Sequence, residues 1–125
     1  MALHGDIAHS FKDHYFRIAA NGAQDELAKF YRPESTVTWD GKEIQGTDSI
    51  LQQLSQLKGA QHQVRTVDSQ PAPGPDGSIL VVVDGILDFE GSGEGARFTQ
   101  TFILTPNPDQ RDSRFVSHQI FRAGH

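Results

Sequence analysis

Between Ser78 and Thr105 the chain reads SILVVVDGILDFEGSGEGARFTQTFILT, two long runs rich in apolar residues around a glycine-rich segment. Ile79 to Phe89 is mostly β-branched or apolar, which favours strand over helix. In Arg97 to Leu104 the residues alternate. Phe98, Gln100, Phe102 and Leu104 share one side, and Arg97, Thr99, Thr101 and Ile103 share the other. Gly91 to Gly95 fits a hairpin turn rather than a phosphate cradle. Its flanks are two strands, and Glu90 and Glu94 would repel an anion. A hairpin this long needs further strands, a helix layer or a partner. Periodicity leaves open which set of side chains points inward.

The rest of the chain supplies those layers. Ile7, Phe11, His14 or Tyr15, and Ile18 form one stripe of a helix over residues 6 to 20, and Asn21-Gly22 suits its end. A short helix is expected at Asp25 to Phe30, before Pro33 forbids more. Thr36 to Trp39 and Lys42 to Gln45 read as a hairpin about Asp40-Gly41. After Gly46, with Thr47 as a cap, Ile50, Leu51, Leu54 and Leu57 mark a third helix. Gln61 to Ser69 is a strand, 71–77 a loop rich in proline and glycine, 106–113 a polar surface loop, and Arg114 to Arg122 a last strand. Helices first and antiparallel strands afterwards indicate a single α+β domain over 1–125, with helices on one sheet face. The other face, too apolar for solvent and too polar for a core, reads as a protein interface.

Composition narrows the function. The 125 residues carry a net charge of −5 with scattered basic residues, which argues against direct nucleic-acid binding. No cysteine is present, so a disulfide frame and a thiolate site are absent. Neither a signal sequence nor a membrane span is visible, giving the expectation of a soluble intracellular protein. His4, His9 and His14 recur every five residues, which scatters them around a helix instead of converging on a metal. No metal or cofactor is expected. For acid–base work the only material is Asp13, His14 and Tyr15, or Asp68 and Asp84. Asp84 could sit among apolar neighbours with a raised pKa or could face outward. Trp39-Asp40-Gly41 admits two readings. One is a core tryptophan beside a turn; the other is a partial pocket for a partner's aromatic, with Asp40 meeting its Lys or Arg.

Several stretches, in order along nearly the whole chain, resemble the nuclear transport factor 2 family. They are Tyr31-Arg32-Pro33-Glu34-Ser35, Thr38-Trp39-Asp40-Gly41, Ile44-Gln45-Gly46, Val67-Asp68-Ser69-Gln70-Pro71, Phe98-Thr99-Gln100-Thr101-Phe102 and Ile120-Phe121-Arg122. The resemblance implies a cone of three helices wrapped by a strongly bent antiparallel sheet that dimerises through the sheet. It also implies location in nucleus, cytoplasm and nuclear envelope, and contact with Phe-Gly-repeat nucleoporins. Two transport branches follow. One is a small subunit that heterodimerises with the large subunit of the mRNA export receptor; the other is a homodimeric carrier of Ran-GDP. The short Gly46–Gln70 segment, Gly85 to Gly91 with Phe102 to Thr105, and a long polar loop before the last strand favour the export branch. Asp40 favours the carrier, whereas Ser92 in place of an acid and His4 in place of an aromatic do not. Isomerases and dehydratases share the fold, as a third alternative. By this resemblance Arg122 pairs with a partner aspartate, and Phe98, Gln100, Phe102, Trp39, Asp40 and Glu90 complete the expected partner contacts. For Arg122 the plain alternative is a solvated charge.

Overall fold

The apolar stripe of the first segment is a helix, α1 (His4–Asn21), in a computed structural model that describes residues 3–89 and 95–124. It buries Ala8, Tyr15, Phe16, Ile18 and Ala19. Gly22, at φ 68°, closes it, its N–H bonding to the Ala19 carbonyl at 3.1 Å, as a left-handed cap should. A short α2 (Gln24–Leu27) runs into a 3₁₀ turn, Ala28–Phe30. The loop after Pro33 is pinned by Ser35, whose buried hydroxyl donates to the Val116 carbonyl at 2.6 Å and accepts from the Arg32 N–H at 3.0 Å. Strands β1 (Thr36–Trp39) and β2 (Lys42–Gln45) follow. Their turn places Asp40 at φ 47° and Gly41 at φ 90°, the two left-handed positions that match strand twist. Helix α3 (Thr47–Leu54), with a 3₁₀ extension Ser55–Leu57, buries Ile50, Leu54 and Leu57.

Four long strands complete the chain: β3 (Ala60–Pro71), β4 (Ile79–Phe89), β5 (Gly95–Asn107) and β6 (Gln110–Ala123). All six belong to one sheet in the order β2-β1-β6-β5-β4-β3. Every neighbouring pair is antiparallel except β1 with β6. Irregularities at Val64/Thr66, Ile103/Leu104 and Pro106/Asn107 interrupt the register, and such bulges bend strands. The α+β expectation and the helix-on-sheet arrangement are met.

Two boundaries differ from the sequence reading. Strand β3 extends beyond Gln61–Ser69 at both ends. Segment 106–113, expected as a long surface loop, is mostly strand, with only Pro108 and Asp109 between β5 and β6. Its polar residues find partners across the hairpin, where Asn107 Nδ2 donates to Ser113 Oγ at 2.8 Å, and the next residue, Arg114, donates through Nε to the Gly77 carbonyl before β4 at 2.9 Å. Pro106 sits at a register shift, where a missing N–H is tolerated. The expected glycine-rich turn lies within 90–94, outside the described residues.

Helices and sheet meet through aromatic rings. Phe11, Tyr15, Phe30 and Phe102 contact one another at centroid separations of 5.0 to 5.7 Å. Phe16 lies flat on the His62 ring at 4.1 Å, and Phe98 meets that ring edge-on at 5.1 Å. Both His62 nitrogens are buried without a hydrogen-bond partner among the described residues. Burial therefore lowers the His62 pKa from 6.5 to about 4, because the charged form loses solvent. Beside it, Gly85 allows a close strand approach, since a Cβ there would stand 2.1 Å from the Gln63 carbonyl oxygen.

Two outcomes follow from this packing. Gly85→Ala should cost about 2 kcal/mol or more in urea denaturation, because a rigid backbone atom opposes the new methyl. For His62 the unfolded chain binds the proton first, so its contribution to stability is complete above pH 6.5. That contribution should fall by up to about 3 kcal/mol as pH drops towards 4, and His62→Phe should remove this part of the pH profile.

Candidate functional site

The inward side of the sheet is settled by β5 and β6. Phe98, Gln100, Phe102 and Leu104 are all at most 2% exposed, as are Gln119 and Phe121. Gln119 Nε2 donates to Gln100 Oε1 at 2.8 Å, and the Tyr31 hydroxyl donates to Gln119 Oε1 at 2.6 Å. The Tyr31 and Tyr15 hydroxyls are 2.5 Å apart. Burial pushes the Tyr15 pKa up to about 12 and Tyr31 well above its ordinary value, so both phenols are neutral and can donate. The expectation that Phe98, Gln100 and Phe102 contact a partner is corrected here. They are core residues, held inward by the aromatic cluster and by the Gln119 amide.

The alternate set therefore faces outward. Register gives a row of Asp68, Val82, Thr101 and Ile120 across β3, β4, β5 and β6. On one side of it run Gln70, Leu80, Ile103 and His118; on the other run Thr66, Asp84, Thr99 and Arg122. Ile120 is 53% exposed, a large apolar side chain in open solvent. Leu80, Val82 and Ile103 are half-buried on the same face, on β4 and β5. Within these rows the bases His118 and Arg122 lie on β6 and the acids Asp68 and Asp84 on β3 and β4, while Arg65 is exposed at the β3 irregularity. Arg122 is exposed and has no ion-pair partner among the described residues. Asp84 faces outward and accepts bonds from the Thr66 N–H, at 3.1 Å, and from the Thr66 hydroxyl.

Trp39 and Asp40 form the corner where β1 joins β6. The indole is 8% exposed and stacks on Phe121 with centroids 3.9 Å apart. It is a wall of the core, which matches the plainer of the two sequence readings. Asp40 is exposed, yet its Oδ1 accepts from the Ala123 N–H at 3.0 Å and its own N–H donates to the Phe121 carbonyl at 2.9 Å. The residue thus stitches the β1–β2 turn to the last strand. Glu90 falls outside the described residues. Sequence reasoning missed Ile120, Val82 and Leu80 as surface residues. The signal was present in the last part of β6, where Gln119 and Phe121 share one parity and His118, Ile120 and Arg122 the other.

The polar groups gathered at the centre of the aromatic core are the two phenols, the two carboxamides and, beside them, His62, a set that can donate and accept hydrogen bonds. The outward face, with an exposed isoleucine between His118 and Arg122 on β6 and with acids on β3 and β4, can bind protein.

Comparison with known proteins identifies the family and the fold. The model of the nuclear transport factor 2 (NTF2) domain matches residues 7–123. Nuclear transport factor 2 of Emericella nidulans is 38% identical over 124 residues, 98% of this chain and 96% of that protein. The solved structure of nuclear transport factor 2 from Cryptosporidium parvum superposes with a TM-score of 0.80 at 25% identity, covering 95% of this chain and 93% of the other. The Candida albicans Mtr2–Mex67 M domain complex gives a TM-score of 0.79 at 16% identity, covering 97% of this chain and 94% of the matched one; that likeness speaks for the fold alone. The chain belongs to the nuclear transport factor 2 domain family.

Proposed function

We propose that this chain is a nuclear transport factor of the carrier type, a homodimer that binds the GDP form of the small GTPase Ran. The observation that carries the reading is the 38% identity, over 98% of the chain, to a relative named nuclear transport factor 2. The export-receptor reading gives way to it, because its structural counterpart at 16% identity supports only the fold. One feature that favoured export also dissolves, since the long polar loop before the last strand is a two-residue turn.

The outer face supports pairing with a second copy. A two-fold axis running along the strands would lay the β6 side of one protomer over the β3–β4 side of the other. Arg122 would then approach the partner's acids while Ile120 is covered by the partner's sheet. An isologous contact needs such self-complementarity. Asp40, exposed at its turn, supplies a carboxylate for a basic group of Ran, and carriage through pores requires contact with Phe-Gly repeats.

The wild-type protein should sediment at twice the chain mass, and Ile120→Glu should sediment as a folded monomer, because burying that charge costs several kcal/mol. Arg122→Ala should weaken self-association by about 2 kcal/mol or more. In calorimetry the purified protein alone should bind Ran-GDP. Asp40→Asn, which keeps the left-handed turn and the Ala123 bond, should bind at least about tenfold more weakly. No heat at tens of micromolar wild-type protein would sink the carrier reading.

A further inference from the structure

We propose that the free edge of β2 and the facing side of α3 form a docking groove for an extended, uncharged segment of a partner protein, which joins the sheet as an added strand. Strand β2 ends the sheet, paired only with β1. The two-residue turn makes Trp39 and Lys42 a hydrogen-bonded pair, and the alternation of an antiparallel ladder makes Val37 and Ile44 the next. The Gly46 N–H donates to the Ser35 carbonyl at 3.1 Å, continuing the same phase. Glu43 and Gln45 therefore direct their N–H and C=O groups away from β1.

Those groups border a concavity of about 630 Å³ whose far wall is α3 and its 3₁₀ extension, through Gln52, Gln53 and Gln56. A strand edge facing a helix across a groove is the geometry in which an extended peptide pairs its backbone with the sheet and lays its side chains on the helix. A helical ligand satisfies its own backbone and has no use for the row. The lining also selects chemistry. Its charged residues, Lys42 and Glu43, have opposite signs, and the rest of its polar groups are amides and hydroxyls. Carboxamides donate and accept alike, so they suit uncharged polar side chains. The other sheet edge differs: β3 carries a register break between Val64 and Thr66 and ends at Pro71, devices that discourage strand addition. The groove is separated from β6 and its outward residues by β1, so occupancy does not depend on the dimeric reading.

The test uses amide spectra of the isotope-labelled full chain titrated with the peptide acetyl-Thr-Val-Thr-Val-Thr-amide. Shifts should be confined to Lys42–Gln45 and to the backbone and side-chain amides of residues 52–56. The same peptide N-methylated at alternate residues should bind at least about tenfold more weakly, having lost two backbone bonds. Glu43→Pro, which removes one outward N–H and leaves the β1 ladder whole, should have a similar effect. Should that variant disturb the hairpin, the N-methylated peptide asks the same question of the unaltered protein. Equal binding of the two peptides, shifts centred on β3 or on the outer sheet face, or no shifts at millimolar peptide would each overturn the proposal.

Discussion

A chain of buried hydrogen bonds from Gln100 through Gln119 and Tyr31 to Tyr15 fixes which way the sheet faces. Two carboxamides and two phenols at the centre of an aromatic core each carry a desolvation cost that only a specific partner offsets. Those partners lie on β5, β6, the turn after α2, and α1. A one-residue slip of β5 would send Phe98 and Phe102 into solvent and take Gln100 away from the Gln119 amide. The network thus excludes the alternative register more strongly than the apolar side chains alone would. Mutual burial also keeps both tyrosines neutral, so the network itself adds no charge to solvate.

Once the phenylalanines are inside, the opposite parity has to be outside. Thr99, Thr101, Ile103, Ile120 and Arg122 follow without further assumption, and Leu80 and Val82 fall beside them by register. The surface is mixed in the way protein interfaces are, with an apolar centre and polar or charged surroundings. In the paired rows His118 and Arg122 on β6 stand apart from Asp68 and Asp84 on β3 and β4, which suits contact with an identical face turned by half a revolution. Core chemistry and assembly are in this sense one problem, solved by the same alternation along β5 and β6.

Much of the fold is legible in the chain. The stripe of α1, the Asn21-Gly22 stop, the Asp40-Gly41 turn and the third helix all declare themselves through local chemistry. What stays hidden depends on residues far apart. Along β5 one side reads Phe, Gln, Phe, Leu and the other Arg, Thr, Thr, Ile, and neither is purely apolar. Gln100 is received in the core by Gln119, nineteen residues on, which is itself held by the distant Tyr31. The short turn at Pro108-Asp109 was masked by polar residues whose partners lie across the hairpin, and composition cannot distinguish paired polar groups from solvated ones. Of the expected site, Arg122 and Asp40 are exposed, Trp39 lines the core, and three of the residues expected at the interface are interior.

The central claim is that the outward row through Thr101 and Ile120 meets the same row of a second copy. Because the chain has no cysteine, Thr101→Cys introduces a single thiol at the middle of that face. Gln53→Cys places one on α3, away from it. Under mild oxidation of dilute protein, the account predicts rapid covalent dimer formation for Thr101→Cys and little for Gln53→Cys. Equal rates for the two variants, or monomer alone for Thr101→Cys, would contradict it.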